Sequence, residues 1–126
     1  MSFSNYLENK MMLHVFGGTS YTAPATLYVG LYTSDPGEGD TGTEVSGGSY
    51  ARQTAAFTIT GGAAANTAAI EFPTASASWG TVTYVGVRDA STGGNLLASG
   101  PLTTSKTISS GDVFRIPAGD LDITLD

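Results

Sequence analysis

This sequence predicts a mainly β fold: an antiparallel β-sandwich, jelly-roll or immunoglobulin-like in strand order, with one N-terminal α-helix. Three observations carry that expectation. Residues 79–100 form a β-branched and aromatic run that breaks at Ala90-Ser91-Thr92-Gly93-Gly94-Asn95 and resumes with Leu96-Leu97, the pattern of a hairpin with a glycine-containing loop. Seven or eight such short runs in all alternate with Gly, Pro, Asp and Ser turn signals across residues 26–125, as in all-β sandwiches. One stretch alone, residues 2–16, reads as a helix. The expected organisation is a single domain over residues 1–126, with the helix at 2–16 and the sandwich at 26–125.

The helix comes first. Ser2 or Ser4 can cap it, and no Gly or Pro interrupts residues 5–16. Phe3, Leu7 and Met11 recur at i, i+4 and i+8, and Met12, Val15 and Phe16 widen the apolar stripe. Glu8 lies early and His14 late, the order that the helix dipole favours. Gly17-Gly18 ends the helix, one of them taking a left-handed conformation. A helix this apolar either caps the sandwich or docks on another chain, and the first is the commoner outcome for a terminal helix.

The strands come next, in order. In residues 26–33, Leu27, Val29 and Leu31 point one way and Tyr28 and Tyr32 the other; Gly30 weakens the strand unless something approaches closely there. Residues 34–44 form a turn-rich loop opened by Asp35-Pro36-Gly37. A strand is expected from Tyr50 to Ile59, a loop of small residues at 61–65, and a strand at 66–72 stopped by Pro73. Trp79, the only tryptophan, opens the 79–100 hairpin and is the natural core anchor, since a packed Trp buries about 150–250 Å². Residues 101–108 are a further strand whose Pro101 belongs at an edge or bulge. Val113–Ile116 is short, and the end of the chain alternates strictly, with Leu121, Ile123 and Leu125 inward. Tyr28-Val29-Gly30-Leu31 and Tyr84-Val85-Gly86-Val87 echo one another, as corresponding strands of two halves would.

Composition excludes several functions. There is no cysteine, hence no disulfide scaffold, thiolate metal site or cysteine nucleophile. Charged residues are 13% of the chain and the net charge is −6, so solvation rests on hydroxyls and backbone. The five basic residues are scattered, which argues against nucleic-acid binding, because that affinity comes from clustered Lys and Arg on phosphates. The longest apolar stretch, residues 11–16, is broken by His14 and is too short to span a membrane. Glu8 and Lys10 interrupt anything resembling a secretory leader. Synthesis in a cytoplasm, with no membrane partner, is expected.

Residues that could carry chemistry are few. Asp35, Glu38, Asp40 and Glu44 share one loop, but their spacing and inter-strand setting are not those of a calcium loop. A solvated acidic loop is the expectation, with no metal. His14 stands alone, which excludes a histidine metal set, and no nucleophile elbow accompanies it. Gly47-Gly48 and Gly61-Gly62 lack the Lys-Ser/Thr of a phosphate loop. Glu71 and Asp89 read as structural carboxylates, with Arg52 and Arg88 as candidate partners worth about 0–1 kcal/mol at a surface. No catalytic residue and no cofactor is expected.

The residues nevertheless carry a resemblance. Residues 5–10 followed by the Gly-terminated helix, 23–32, 43–53 (Thr-Glu-Val-Ser-Gly-Gly-Ser-Tyr-Ala-Arg-Gln), 72–75, 79–82 and 89–97 together resemble a family of small tailed-bacteriophage structural proteins, often labelled tail-fibre proteins. The resemblance spans nearly the whole chain. It implies a non-enzymatic virion component that binds other virion proteins (major capsid protein or tail proteins) and forms a homo-oligomer. It implies one of two placements: a capsid decoration or cement protein in many copies, which is the favoured reading, or a fibre or tail-tip module that binds a host-surface receptor. A depolymerase enzyme is a distant third. No heptad or collagen-like repeat is present, so the chain is no fibre shaft by itself. The partner-binding residues are expected on the helix (Phe3, Leu7, Met11) and on the acidic loop (Asp35, Glu38, Asp40, Glu44).

Overall fold

A computed structural model describes residues 1–124; the inward position expected for Leu125 lies outside the described residues. Its elements in chain order are β1 (Ser2–Phe3), α1 (Asn5–Val15), β2 (Leu27–Tyr32), β3 (Gln53–Ala55), β4 (Phe57–Thr60), β5 (Ala63–Asn66), β6 (Ile70–Glu71), β7 (Gly80–Arg88), β8 (Leu96–Ile108), β9 (Arg115–Ile116) and β10 (Asp122–Thr124). The chain is mainly β, with antiparallel pairing throughout its sheets. A five-stranded sheet runs β1-β8-β7-β2-β3, a three-stranded sheet β10-β5-β4, and β6 pairs with β9.

The expected 79–100 hairpin is the centre of the large sheet, as β7 and β8. The two echoing Tyr-Val-Gly motifs turn out to be neighbours rather than equivalents in separate halves: Val29 faces Val87, Gly30 faces Gly86 and Leu31 faces Val85. Both glycines are there for close approach. A Cβ on Gly86 would lie 2.8 Å from the Tyr32 ring and 2.9 Å from Leu96, and one on Gly30 would lie 2.7 Å from the Glu44 carboxylate. β8 does not break at Pro101 but runs on to Ile108. Pro101 fits because β1 reaches only Ala98 and Ser99, which leaves the rest of that edge open, and because the register slips between Val82 and Tyr84. Pro101, this bulge and exposed Lys106 blunt the free edge against stray pairing.

The core lies between the large sheet and the smaller pieces, the sandwich-like arrangement expected. Val29 and Leu31 from β2, Val82, Val85 and Val87 from β7, and Leu97 and Ile108 from β8 meet Ile70, Phe72, Phe114, Ile116 and Leu121. Trp79 is buried as expected; its indole N–H donates to the Gly48 carbonyl at 2.9 Å, and its ring meets Tyr50 edge-on at 5.4 Å.

Several local expectations are corrected. Ser2 and Phe3 are not helical: they pair with Ser99 and Ala98 as a short edge strand, because the free side of β8 offers them backbone partners. Ser4 then caps α1, accepting from the Leu7 N–H at 3.1 Å while its hydroxyl donates to the Leu96 carbonyl. The strand expected at 50–59 divides: β3 joins the large sheet and β4 the three-stranded one, with the Ala56 carbonyl accepting from Thr67 N at 2.9 Å. Residues 63–65, expected as loop, form β5 with Asn66 between β4 and β10, since small Ala side chains carry little propensity but their backbone pairs on both sides; the strand expected at 66–72 shrinks to β6 at Ile70–Glu71. Gly18 (φ +72°) turns the chain after α1.

Candidate interaction surfaces

The acidic loop is built from the backbone up. Asp35 accepts from the Gly37 N–H at 2.8 Å, an Asx turn that starts the reversal. Thr41 N donates to the Pro36 carbonyl at 2.7 Å, Thr33 N to the Thr43 carbonyl at 2.9 Å, and Asn5 N to the Glu38 carbonyl at 2.9 Å. The last bond ties the loop to the start of α1. Asp40 takes a left-handed conformation (φ 57°), tolerable for Asp, with its carboxylate turned to Arg88.

Two arginines then clasp the loop. Buried Arg88 holds Asp40 with both ends of its fork, at 2.9 and 2.7 Å, and donates to the Tyr32 hydroxyl at 2.9 Å. Arg52 grips Glu44 in the same way at 2.8 and 2.7 Å. Both guanidiniums also donate to the Gly93 carbonyl, at 2.9 Å from Arg52 and 3.3 Å from Arg88; Arg52 reaches Ala90, at 2.8 Å, and Arg88 Gly94, at 3.2 Å. The clasp thus fastens the 34–44 loop to the β7–β8 hairpin loop through two bidentate pairs, the strong form of ion pairing. The partners differ from those expected. Asp89 instead closes its own hairpin by accepting from Asn95, and Glu71 lies exposed on β6 opposite Arg115.

Glu44 is the hub. Besides Arg52 it accepts from the Tyr50 hydroxyl at 2.6 Å, and Tyr50 accepts from the Leu31 N–H at 2.9 Å. Burial alone would raise the Glu44 pKa, but hydrogen bonds from Arg52 and Tyr50 outweigh it and hold the carboxyl below its ordinary range. Burial, and then the Glu44 carboxylate, push Tyr50 well above the usual phenol range. Beside the clasp, Glu44, Val45, Tyr50, Arg52, Thr92 and Gly93 line a shallow cleft of about 300 Å³. A larger cleft of about 430 Å³ lies along the β8 bulge, bordered by Pro101, Leu102, Lys106, Phe114, Arg115 and Asp120.

The residues expected to bind partners are therefore spread over several settings. Asp40 and Glu44 have their carboxylates engaged inside the chain; Asp35 organises its turn; Glu38 meets α1 through its backbone. Phe3 sits on β1 rather than on the helix. Leu7 is half-buried against the core, together with Tyr6, and Met11 is exposed. No residue of α1 is fully buried. Its first turns rest on the body, and from Met11 onward it projects. Met12, Leu13, Val15 and Phe16 are all exposed there. His14 accepts from the Tyr21 N–H at 3.1 Å, steadying the chain that returns from the helix. This projecting apolar end was legible in part: apart from His14, residues 11–16 are all large and apolar, more than one buried stripe takes up.

Residues 2–124 match the family model described as podophage GP4 fiber I protein gp80. The chain belongs to that family. Two segments of the sequence resemblance, 43–53 and 89–97, are joined by Arg52, which donates to the Ala90 and Gly93 carbonyls. A comparison with curated proteins finds no match. Membership makes this fibre-family chain a phage structural protein, a virion component that associates with other virion proteins. Among its described residues no helix is long and apolar enough to cross a membrane.

Proposed function

We propose that this chain is a non-enzymatic module of a phage fibre, a rigid β body that presents its clasped loops outward and attaches through its apolar helix end. The observation that carries this reading is the match to a fibre-protein family over residues 2–124. The clasp supports it: two bidentate ion pairs hold both loops in one shape, so a contact made there loses little ordering entropy on binding. Placement in a fibre, the second of the two placements drawn from the sequence, is preferred over capsid decoration because it fits the family's description. The decoration reading keeps one support, the projecting apolar helix, which suits a grip on a shell as well as on a fibre.

The test is the copy number of the chain in purified virions, measured against the major capsid protein by quantitative mass spectrometry. A small number set by tail symmetry supports the fibre placement. A fixed ratio to capsid subunits overturns it in favour of decoration. Absence from virions overturns both.

A further inference from the structure

Three of the five basic residues are engaged within the chain. Arg52 and Arg88 form the clasp, and the Lys10 ammonium lies 5.6 Å from the centre of the Tyr6 ring. The other two, Lys106 on β8 and Arg115 on β9, both border the cleft of about 430 Å³ beside the β8 bulge. Asp120 and Asp122 border it too. Among the described residues, none of these four side chains has an ion-pair or hydrogen-bond partner, and all four are exposed. Charges of both signs thus share one cleft without meeting each other.

The cleft lies where the three sheets converge, with β8, β9 and the start of β10 at its borders. Val82 pairs with Lys106 but Tyr84 with Pro101, so Thr83 alone stands opposite residues 102–105. On the other side, β1 reaches only Ala98 and Ser99. Residues 102–104 therefore line the cleft with backbone groups that have no ladder partner on β7 or β1, beside the hydroxyls of Thr103 and Thr104. Pro101, Leu102 and Pro117 give it an apolar wall.

This mixture selects the chemistry of a ligand. An anion is drawn by Lys106 and Arg115 but repelled by Asp120 and Asp122, and a cation meets the reverse. An apolar group would strip water from four charges and replace it with nothing. A zwitterion gains little from ion pairs with exposed groups. A hydroxyl both donates and accepts, so a polyhydroxylated ligand satisfies both signs at once while its C–H faces rest on the proline and leucine wall. A cavity of about 150 Å³ takes one six-membered ring, so the cleft has room for about two. We infer that this cleft binds an uncharged saccharide of two rings. Lys106 and Arg115 donate to its hydroxyls, and Asp120 and Asp122 accept from them. The site does not depend on where in the virion the chain sits.

The experiment follows backbone amide shifts of the isotope-labelled full chain by NMR. The probes are maltose, lactose, cellobiose and chitobiose, each up to about 50 mM, well above millimolar dissociation constants; glucuronic acid and diglycine are the charged comparisons. At least one disaccharide should shift Thr103, Thr104 and Asp122 together, with an affinity unchanged by added salt, since no ion pair is screened. Arg115→Ala and Asp120→Ala, both at exposed positions and checked for folding by circular dichroism, should each weaken that binding about tenfold, the loss of one hydrogen bond to a charged group. Weakening by removal of either sign of charge is what an uncharged donor-acceptor ligand requires. No shift in the cleft with any disaccharide would overturn the inference. So would tighter binding by Asp120→Ala or a preference for glucuronic acid, which indicate an anion site. Tighter binding of diglycine, lost in high salt, would overturn it in favour of a zwitterion.

Discussion

Glu44 and Arg52 meet fork to fork at 2.7 and 2.8 Å, eight residues apart in sequence and on opposite sides of the tight turn at Gly47-Gly48. Arg52 then reaches across to the hairpin loop. Removing the charge from Glu44 therefore loosens two loops at once. Glu44→Gln is expected to cost about 1–3 kcal/mol, the range for leaving a largely desolvated charged partner unmet. Arg52→Ala in the Glu44→Gln background should cost less than Arg52→Ala alone. Urea unfolding of the double-mutant cycle checks this, and simple additivity would show that the pair is not coupled.

Acid should weaken the same contact. A carboxyl with a lower pKa in the folded chain adds stability above its unfolded value, near 4.5, and that contribution drains as pH falls through the folded value. Unfolding free energy should decline below about pH 4.5, and Glu44→Gln should show a shallower decline. Equal slopes in the two proteins would assign the acid sensitivity elsewhere.

Alkali acts on Tyr50 with the opposite sign. Its raised pKa means that its contribution is complete below the ordinary phenol value of 10 and is lost as pH rises towards the folded value. In a tyrosinate absorbance titration of the folded protein, Tyr50→Phe should remove a phenol that ionises late. Loss of an early-ionising phenol instead would contradict the hydrogen bonding around Glu44.

Gly86→Ala should destabilise the centre of the large sheet by about 1–3 kcal/mol, the usual cost of forcing extra volume into a packed core. The new methyl meets Tyr32 and Leu96, both fully buried, so neither can swing aside. A thermal melt unchanged from the native chain would show that β2 and β7 can part without loss.

Trp79→Phe keeps an aromatic ring beside Tyr50 but removes the indole donor of the Gly48 carbonyl, leaving that carbonyl to the Ser76 N–H at 3.0 Å. About 0.5–1.5 kcal/mol should be lost with that hydrogen bond, measured by denaturant unfolding followed by far-UV circular dichroism. An unchanged midpoint would mean that the indole bond adds nothing beyond the Ser76 N–H.

The sequence alone determined what local physics controls. Alternation and turn residues marked β2, the β7–β8 hairpin and β10, and Gly17-Gly18 marked the end of α1, because side-chain period and left-handed glycine are properties of a few adjacent residues. Pro101 announced an open edge for the same reason. Tertiary structure alone decided the rest. Poly-alanine β5 carries no pattern and became a central strand through backbone pairing on both sides; Ser2 and Phe3 left the helix because β8 had a free edge. Asp40 and Glu44 read as a solvated loop in one dimension, yet their guanidinium partners arrive from 48 and 8 residues away. Whether the apolar helix would be covered was likewise a question of which surfaces the sheets left free, and the chain leaves its end uncovered.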